Sequence, residues 1–172
     1  MNFYSLIESI VKSKPTNIAI KSSAEQVILY RELDQHASRY ALALDALGVC
    51  PGDRVIAQVD KSLPSLFLYL ACLKAGYIFV PLNTAYKSKE LTHFIADAEP
   101  KLFVTSCDRY DEVSELVMAA NDCSAVILVG DPGRDLLGLA AGHSSSSVVR
   151  SVKSDDVAVI IYTSGTTGRS KG

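Results

Sequence analysis

The sequence carries no surplus of charge of either sign. Lys and Arg number 17 against 19 Asp and Glu, a net −2 over 172 residues, with a pI near 5.9. That balance gives no electrostatic footprint for nucleic acid or an anionic membrane, so neither is expected as a partner. Long hydrophobic runs are also missing. The longest, from Leu63 to Leu73, ends at Lys74, too short for a bilayer and suited to a buried helix. Cysteine is sparse: Cys50, Cys72, Cys107 and Cys123 stand singly, without a CxxC or a His/Cys cluster. Isolated cysteines, two of them in apolar runs, read as buried thiols in a reducing compartment rather than a disulfide framework. The first ten residues lack a basic segment and include Glu8, so no signal peptide, transit peptide or anchor is expected and the expected location is cytoplasmic. Three nucleotide or hydrolase motifs are absent as well: the Walker loop, GxGxxG and the GxSxG elbow.

What is present is a chain that is 48% hydrophobic and 21% charged, enough apolar matter for the core of one domain. Phe3, Leu6, Ile7, Ile10 and Val11 recur at spacings of three and four, predicting an amphipathic helix that Pro15 stops. Residues 17–20 and 26–30 read as a hairpin. Leu33, Ala37, Tyr40, Ala41, Leu44 and Leu47 share a face of a longer helix closed by Gly48. A turn at Pro51, Gly52 and Asp53 leads into a strand over 54–59, followed by an apolar helix over 63–75 and a strand over 77–80. Ser88 is expected to cap a helix whose inner face is Leu91, Phe94, Ile95 and Ala98. After Pro100 come a strand over 101–105, a helix with Asp108 as cap and Asp111 in its first turn, and a strand over 125–129. Residues 130–156 are small and polar, a connection in which Leu136, Leu137 and Leu139 mark a short helix. Strands apolar throughout and alternating with helices predict an α/β fold, a mostly parallel sheet with helices on both faces.

The last segment carries the chemistry. An apolar strand over 156–162, expected to be buried except for one flank over Val157 to Tyr162 left open and prone to association, runs into Thr163-Ser-Gly-Thr-Thr-Gly-Arg-Ser-Lys-Gly172. Gly165 and Gly168 let backbone N–H groups approach an anion closely, the hydroxyls add hydrogen bonds and Lys171 adds positive charge. Composition by itself also permits an unstructured Ser/Thr/Gly tail. The strand feeding the loop and the lysine near its end favour a polyphosphate site, at the strand ends where open α/β sheets hold ligands. His36 fits a partly exposed helix position, His93 and His143 occur singly in the sequence, Tyr40 and Tyr69 fit core stripes and Tyr77 a strand. Asp155 and Asp156 suit a turn before the strand as well as a metal.

Residues 162–172 resemble the phosphate loop of the adenylate-forming enzymes: acyl-CoA synthetases, peptide-synthetase adenylation domains and luciferases. That pattern is hydroxyl-Ser-Gly-Thr-Thr-Gly-x-Pro-Lys-Gly, and Ser170 is its one departure, standing where proline is usual. Leu29-Tyr-Arg-Glu-Leu33, Gly48-Val-Cys-Pro-Gly-Asp-Arg-Val55 and Leu73-Lys-Ala-Gly-Tyr-Ile-Phe-Val-Pro-Leu-Asn83 resemble upstream family segments in the same order. Residues 81–86, 97–100 and the Arg169-Ser170 pair are most similar to malonyl-CoA synthetases.

The resemblance implies that residues 1–172 form the N-terminal part of the large domain of an AMP-dependent synthetase, ending just after the phosphate loop. The implied activity is a carboxylate–CoA ligase that passes through an acyl-adenylate, with a small carboxylate, ATP and coenzyme A as reactants and Mg²⁺ as cofactor. It further implies that Thr163, Ser164, Gly165, Thr166, Thr167, Gly168 and Lys171 hold the nucleotide phosphates, with Thr163 near the metal. No catalytic residue is assigned. The family's adenosine motif, metal-binding Glu, ribose-binding Asp and catalytic Lys have no counterpart here, so the chain alone is expected to be inactive. The competing expectation is a non-catalytic truncated relative, a folding or interaction module.

Overall fold

The computed structural model describes residues 2–22, 26–120, 123–131, 134–147, 149–163 and 172. Helix α1 (Tyr4–Ser13) precedes a two-stranded antiparallel hairpin, β1 (Ile18–Lys21) and β2 (Val27–Leu29). Helix α2 (Tyr30–Ala46) follows without a break. Its first turn explains the Tyr-Arg-Glu-Leu string: the Glu32 carboxylate accepts the Leu29 N–H at 2.9 Å, satisfying a donor that the helix start leaves open.

Strand β3 (Arg54–Gln58), helix α3 (Leu63–Ala75), strand β4 (Ile78–Pro81), helix α4 (Ser88–Ala98), strand β5 (Leu102–Thr105), helix α5 (Tyr110–Met118), strand β6 (Ser124–Ile127) and helix α6 (Leu136–Ala141) complete the order. The strands form a parallel sheet in the sequence β4-β3-β5-β6. Alternation along each strand divides its side chains between two cores. Val55, Ala57, Leu102, Val104 and Val126 join α2, α3 and α6 on one face. Ile56, Val80 and Phe103 join α4 and α5 on the other. The α/β expectation, with helices on both faces, therefore holds.

Helix α3 matches its expected limits because every boundary signal is local. The Ser62 hydroxyl accepts the Ser65 N–H at 3.2 Å, Pro64 lies in the first turn, and Gly76 closes the helix at φ 74°. A Cβ at Gly76 would come within 2.9 Å of Val152 Cγ1, so the glycine also makes room for the connection crossing it.

One charged residue is embedded between α2 and α3. Lys74 is 2% exposed. Its Nζ meets Asp34 Oδ1 at 2.7 Å and Ser38 Oγ at 2.8 Å, and lies over the Tyr4 ring. The Tyr4 hydroxyl donates to the same Asp34 oxygen at 2.9 Å, which ties α1 to the pair; burial first, and then Asp34, raises that hydroxyl's pKa. A charge taken out of water is tolerable only with such partners. Nearby, Arg150 grips both Asp45 oxygens at 2.7 and 2.6 Å, and Tyr77 donates its hydroxyl to Asp45.

Three local expectations are corrected. Ser88 is the first residue of α4 rather than its cap. The Glu90 carboxylate accepts the Lys87 N–H at 3.1 Å, while the Ser88 hydroxyl donates to Glu112 at 2.6 Å; a tertiary partner took the hydroxyl. Asp108 lies in a short 3₁₀ turn, Cys107–Arg109, ahead of α5, so it does not cap that helix. The segment over 156–162 is not a buried strand. It touches β4 through a single parallel bridge, Phe79 to Val159, and leaves Val157 55% and Ile161 63% exposed. Its one strand neighbour among the described residues is β4.

Candidate functional site

Because the bridge to β4 is parallel, residues 158–160 run in the same direction as every strand of the sheet. The Phe79 N–H donates to Ala158 O, and the Ile160 N–H donates to Phe79 O, both at 3.0 Å. The chain therefore leaves at Tyr162 and Thr163 on the edge where β3 ends at Gln58, β4 at Pro81 and β5 at Thr105. Ligands of open parallel sheets bind at that edge, outside the carboxyl ends of the strands.

Of the sequence-derived site residues, Thr163 is exposed there. Ser164, Gly165, Thr166, Thr167, Gly168 and Lys171 lie outside the described residues. Gly172 is described, and it sits back against the start of the loop. A Cβ at Gly172 would come within 2.8 Å of Ile160 Cγ2 and 2.9 Å of Tyr162 Cε1, distances that real side chains do not occupy. Gly172 therefore lies beside the Tyr162 ring.

That ring is fixed in turn. It packs on Phe94 with centroids 4.6 Å apart, Phe94 packs on Tyr86 at 4.9 Å, and the Tyr162 hydroxyl donates to Asp97 Oδ2 at 2.6 Å. Burial, and then the Asp97 carboxylate, raises the hydroxyl's pKa and keeps it a donor. The loop after β4 is pinned beside it. Gln58 Nε2 donates to Asn83 O at 2.9 Å and to Tyr86 O at 3.0 Å. Arg109 Nη1 donates to Tyr86 O at 2.9 Å, while its Nη2 pairs with Glu112 at 2.9 Å. The Ser88 hydroxyl, followed by Arg109, holds the Glu112 carboxyl below its ordinary pKa. Two polar atoms at the strand ends, Gln58 Oε1 and Thr105 Oγ1, are buried without a hydrogen-bond partner among the described residues.

Sequence reasoning missed Gln58, Asp97 and Arg109. Gln58 had a readable signal, an amide inside the apolar run Val55-Ile-Ala-Gln-Val59. Asp97 and Arg109 had none, since their partners lie 65 and 23 residues away. The residues set aside stay aside. His36 stacks on Phe67 at 4.2 Å, Tyr40 and Tyr77 are buried, and Tyr69 packs on Phe79. The Asp156 carboxylate accepts the Lys153 N–H at 2.7 Å, closing a turn. Among the described residues, no group of three His, Cys, Asp or Glu side chains could hold a metal, and no helix is long and apolar enough to cross a membrane.

This geometry can be set beside known proteins. The ATP-bound structure of MatB from Rhodopseudomonas palustris superposes with a TM-score of 0.91 at 40% identity, over 99% of this chain and 34% of that one. Malpinin synthetase from Mortierella alpina is 34% identical over 98% of this chain and 2% of its own length. Tyrocidine synthase 1 from Brevibacillus parabrevis is 30% identical over 99% of this chain and 15% of its own. The chain thus spans about a third of MatB and far less of the two synthetases. The family model described as AMP-binding enzyme matches residues 7–172. With the fold, the upstream segments and the edge loop in agreement, the chain belongs to the AMP-binding enzymes, the adenylate-forming carboxylate ligases.

Proposed function

We propose that residues 1–172 are the N-terminal part of the ligase domain of a carboxylate–CoA ligase, and that residues 163–171 receive the β- and γ-phosphates of ATP. The observation that carries this reading is the Thr163 to Gly172 string leaving the sheet at its ligand edge. In the first step a carboxylate oxygen attacks the α-phosphorus; the bond from that phosphorus to the bridging oxygen breaks, and pyrophosphate leaves. In the second, a coenzyme A thiolate attacks the acyl carbon of the adenylate and AMP leaves. This chain's part is to hold the departing phosphates and offset their charge. Backbone N–H groups at Gly165 and Gly168 and the hydroxyls of Ser164, Thr166 and Thr167 would donate to phosphate oxygens, and Lys171 would pair with them.

The donor set fits a magnesium-bound polyphosphate. Thr163 presents an exposed neutral oxygen at the loop entrance, the type of ligand Mg²⁺ accepts beside phosphate oxygens and water. When bound, the ion would neutralise charge on the phosphates. The resemblance of residues 81–86, 97–100 and the Arg169-Ser170 pair to malonyl-CoA synthetases favours a small dicarboxylic acid such as malonate. A second reading, activation of an amino acid, is favoured by the peptide-synthetase relatives at 30–34% identity. Singly placed cysteines, with Cys50 and Cys107 exposed as free thiols, support a reducing, cytoplasmic setting.

Carboxylate-dependent ATP–pyrophosphate exchange is the test. The 172-residue chain alone is expected to show none with malonate, acetate, longer acids or amino acids. In a longer protein carrying it, Lys171→Ala and Thr166→Ala should each slow exchange by about 10- to 100-fold with an unchanged melting temperature. Exchange by the short chain would overturn the assignment of residues 1–172 as one part of the domain. Exchange indifferent to both substitutions would overturn the phosphate assignment. Malonate against an amino-acid panel separates the two substrate readings.

A further inference from the structure

We propose that a single water molecule is bound inside the domain between Gln58 and Thr105, and that it holds the Gln58 amide on the loop after β4. The site lies within the α4/α5 core, beneath the ligand edge, and stands whatever that edge receives.

Gln58 is the last residue of β3 and Thr105 the last of β5, and the two are partners in the parallel register of those strands. Register partners lie side by side, about 5 Å apart, with their side chains on one face of the sheet. That face is the one that Ile56 and Phe103, two residues earlier in each strand, give to the α4/α5 core. Both residues are sealed from solvent: Gln58 is 1% and Thr105 0% exposed. Among the described residues, six buried side-chain polar atoms find no hydrogen-bond partner, and Gln58 Oε1 and Thr105 Oγ1 are the two of them that stand on adjacent strands.

The other end of the Gln58 amide is committed. Its Nε2 donates to Asn83 O at 2.9 Å and to Tyr86 O at 3.0 Å, which uses both N–H groups and fixes which end of the amide is nitrogen. Turning the amide over would set Oε1 against two carbonyl oxygens. The oxygen therefore stays on the far side, where only a donor satisfies it. Thr105 makes no direct hydrogen bond to it. Water fits both groups, because it donates a proton to Gln58 Oε1 while its own oxygen accepts the Thr105 hydroxyl. Two bare oxygens in an apolar core carry a desolvation penalty that opposes folding, whereas enclosed water with polar partners is a regular part of protein interiors.

The consequence reaches the surface. Gln58 draws the carbonyls of Asn83 and Tyr86 inward, and Arg109 does the same to Thr84 and Tyr86. An amide kept from turning keeps this exposed loop in one shape beside the ends of β3 and β5.

High-resolution crystal structures and thermal melts of the 172-residue chain, Thr105→Val and Thr105→Ser test the site. The unaltered chain and Thr105→Ser should both show a density peak within hydrogen-bonding distance of Gln58 Oε1 and of the hydroxyl at position 105. Thr105→Val keeps the shape and removes the hydroxyl. It should lose the peak and melt about 2–4 °C lower. The Tyr86 amide hydrogen, bonded to Asn83 O, should exchange roughly fivefold faster in that variant. The sign of the melting shift is diagnostic: if the hydroxyl is simply unpartnered, a methyl in its place removes the penalty, and the melting temperature rises or stays. That outcome overturns the site, as does a crystal in which Thr105 Oγ1 bonds Gln58 Oε1 directly. A lost peak with unchanged Tyr86 exchange overturns the hold on the loop. If Thr105→Val does not fold, density in the unaltered chain decides: a peak bridging the two oxygens supports the site, and its lack overturns it.

Discussion

Strand β5 and the segment over 157–161 are written in nearly the same alphabet and have opposite fates. Leu102-Phe-Val-Thr105 is buried at all four positions. Val157-Ala-Val-Ile-Ile161 leaves Val157 and Ile161 more than half exposed. Hydrophobicity does not separate them; position in the sheet does. β5 has β3 on one side and β6 on the other, with helices above and below. The later segment has β4 alone among the described strands, through one bridge. An apolar strand is therefore a statement about burial only once its neighbours are known. The open segment is also the one that delivers the candidate site, which fits the general pattern of function at sheet edges on a rigid scaffold.

The largest effect that would break this comparison comes from matched truncations. Phe103→Ala should cost about 3–5 kcal/mol in urea unfolding, because the ring is fully enclosed between the sheet and α4/α5. Ile161→Ala should cost less than about 0.5 kcal/mol. Equal losses would mean that the two segments are equally enclosed in solution.

Next in size, Asp34→Ala should destabilise by about 2–4 kcal/mol, since it leaves the Lys74 ammonium buried with Ser38 as its remaining polar contact. Equilibrium unfolding of Asp34→Ala beside Lys74→Met tests this, because removing the buried charge with a similar volume should be the milder change.

A smaller effect concerns pH. Burial, followed by the Arg39 charge, holds the His36 pKa below its ordinary 6.5 on a ring stacked against Phe67. The unfolded chain then binds the proton more readily than the folded one. His36's contribution is therefore full above pH 6.5 and is lost as the pH falls through that value toward the lower folded one. Chemical denaturation at a series of pH values should show His36→Gln flattening the acid side of the stability curve in that window.

Smallest for stability, Val157→Lys with Ile161→Lys should shift unfolding by no more than about 0.5 kcal/mol per site. The same pair should suppress any concentration-dependent association seen by sedimentation, because charge on an open strand blocks edge pairing. Association that persists in the double variant would locate the sticky surface elsewhere, and the exposed Phe3 and Leu6 of the α1 region would be the next surface to alter.

Helix α3 was legible to the residue because a serine cap, an early proline and a closing glycine are all encoded within the segment itself. The hairpin, α2 and the alternation of strands with helices along the chain were legible from signals that are likewise local. Ser88 was misread because its hydroxyl had two suitors, its own helix and Glu112, and only the second lies across the fold. In the site, the loop string was visible as a run of residue types. The contacts that fix Tyr162 were not, since Tyr162, Phe94 and Asp97 have no local pattern in common.

By itself the amino-acid sequence determined which stretches become helices and strands, that the sheet is parallel and double-sided, and that a hydroxyl- and glycine-rich loop follows a strand. Those properties depend on backbone preference and on apolar periodicity, which act over a few neighbouring residues. Tertiary structure alone decided that β4 is the described strand neighbour of residues 157–161, that Lys74 is buried beside Asp34, and that Tyr162 meets both Phe94 and Asp97. Each of these is a contact between residues distant in the chain, and its energy exists only after the sheet has brought the partners together.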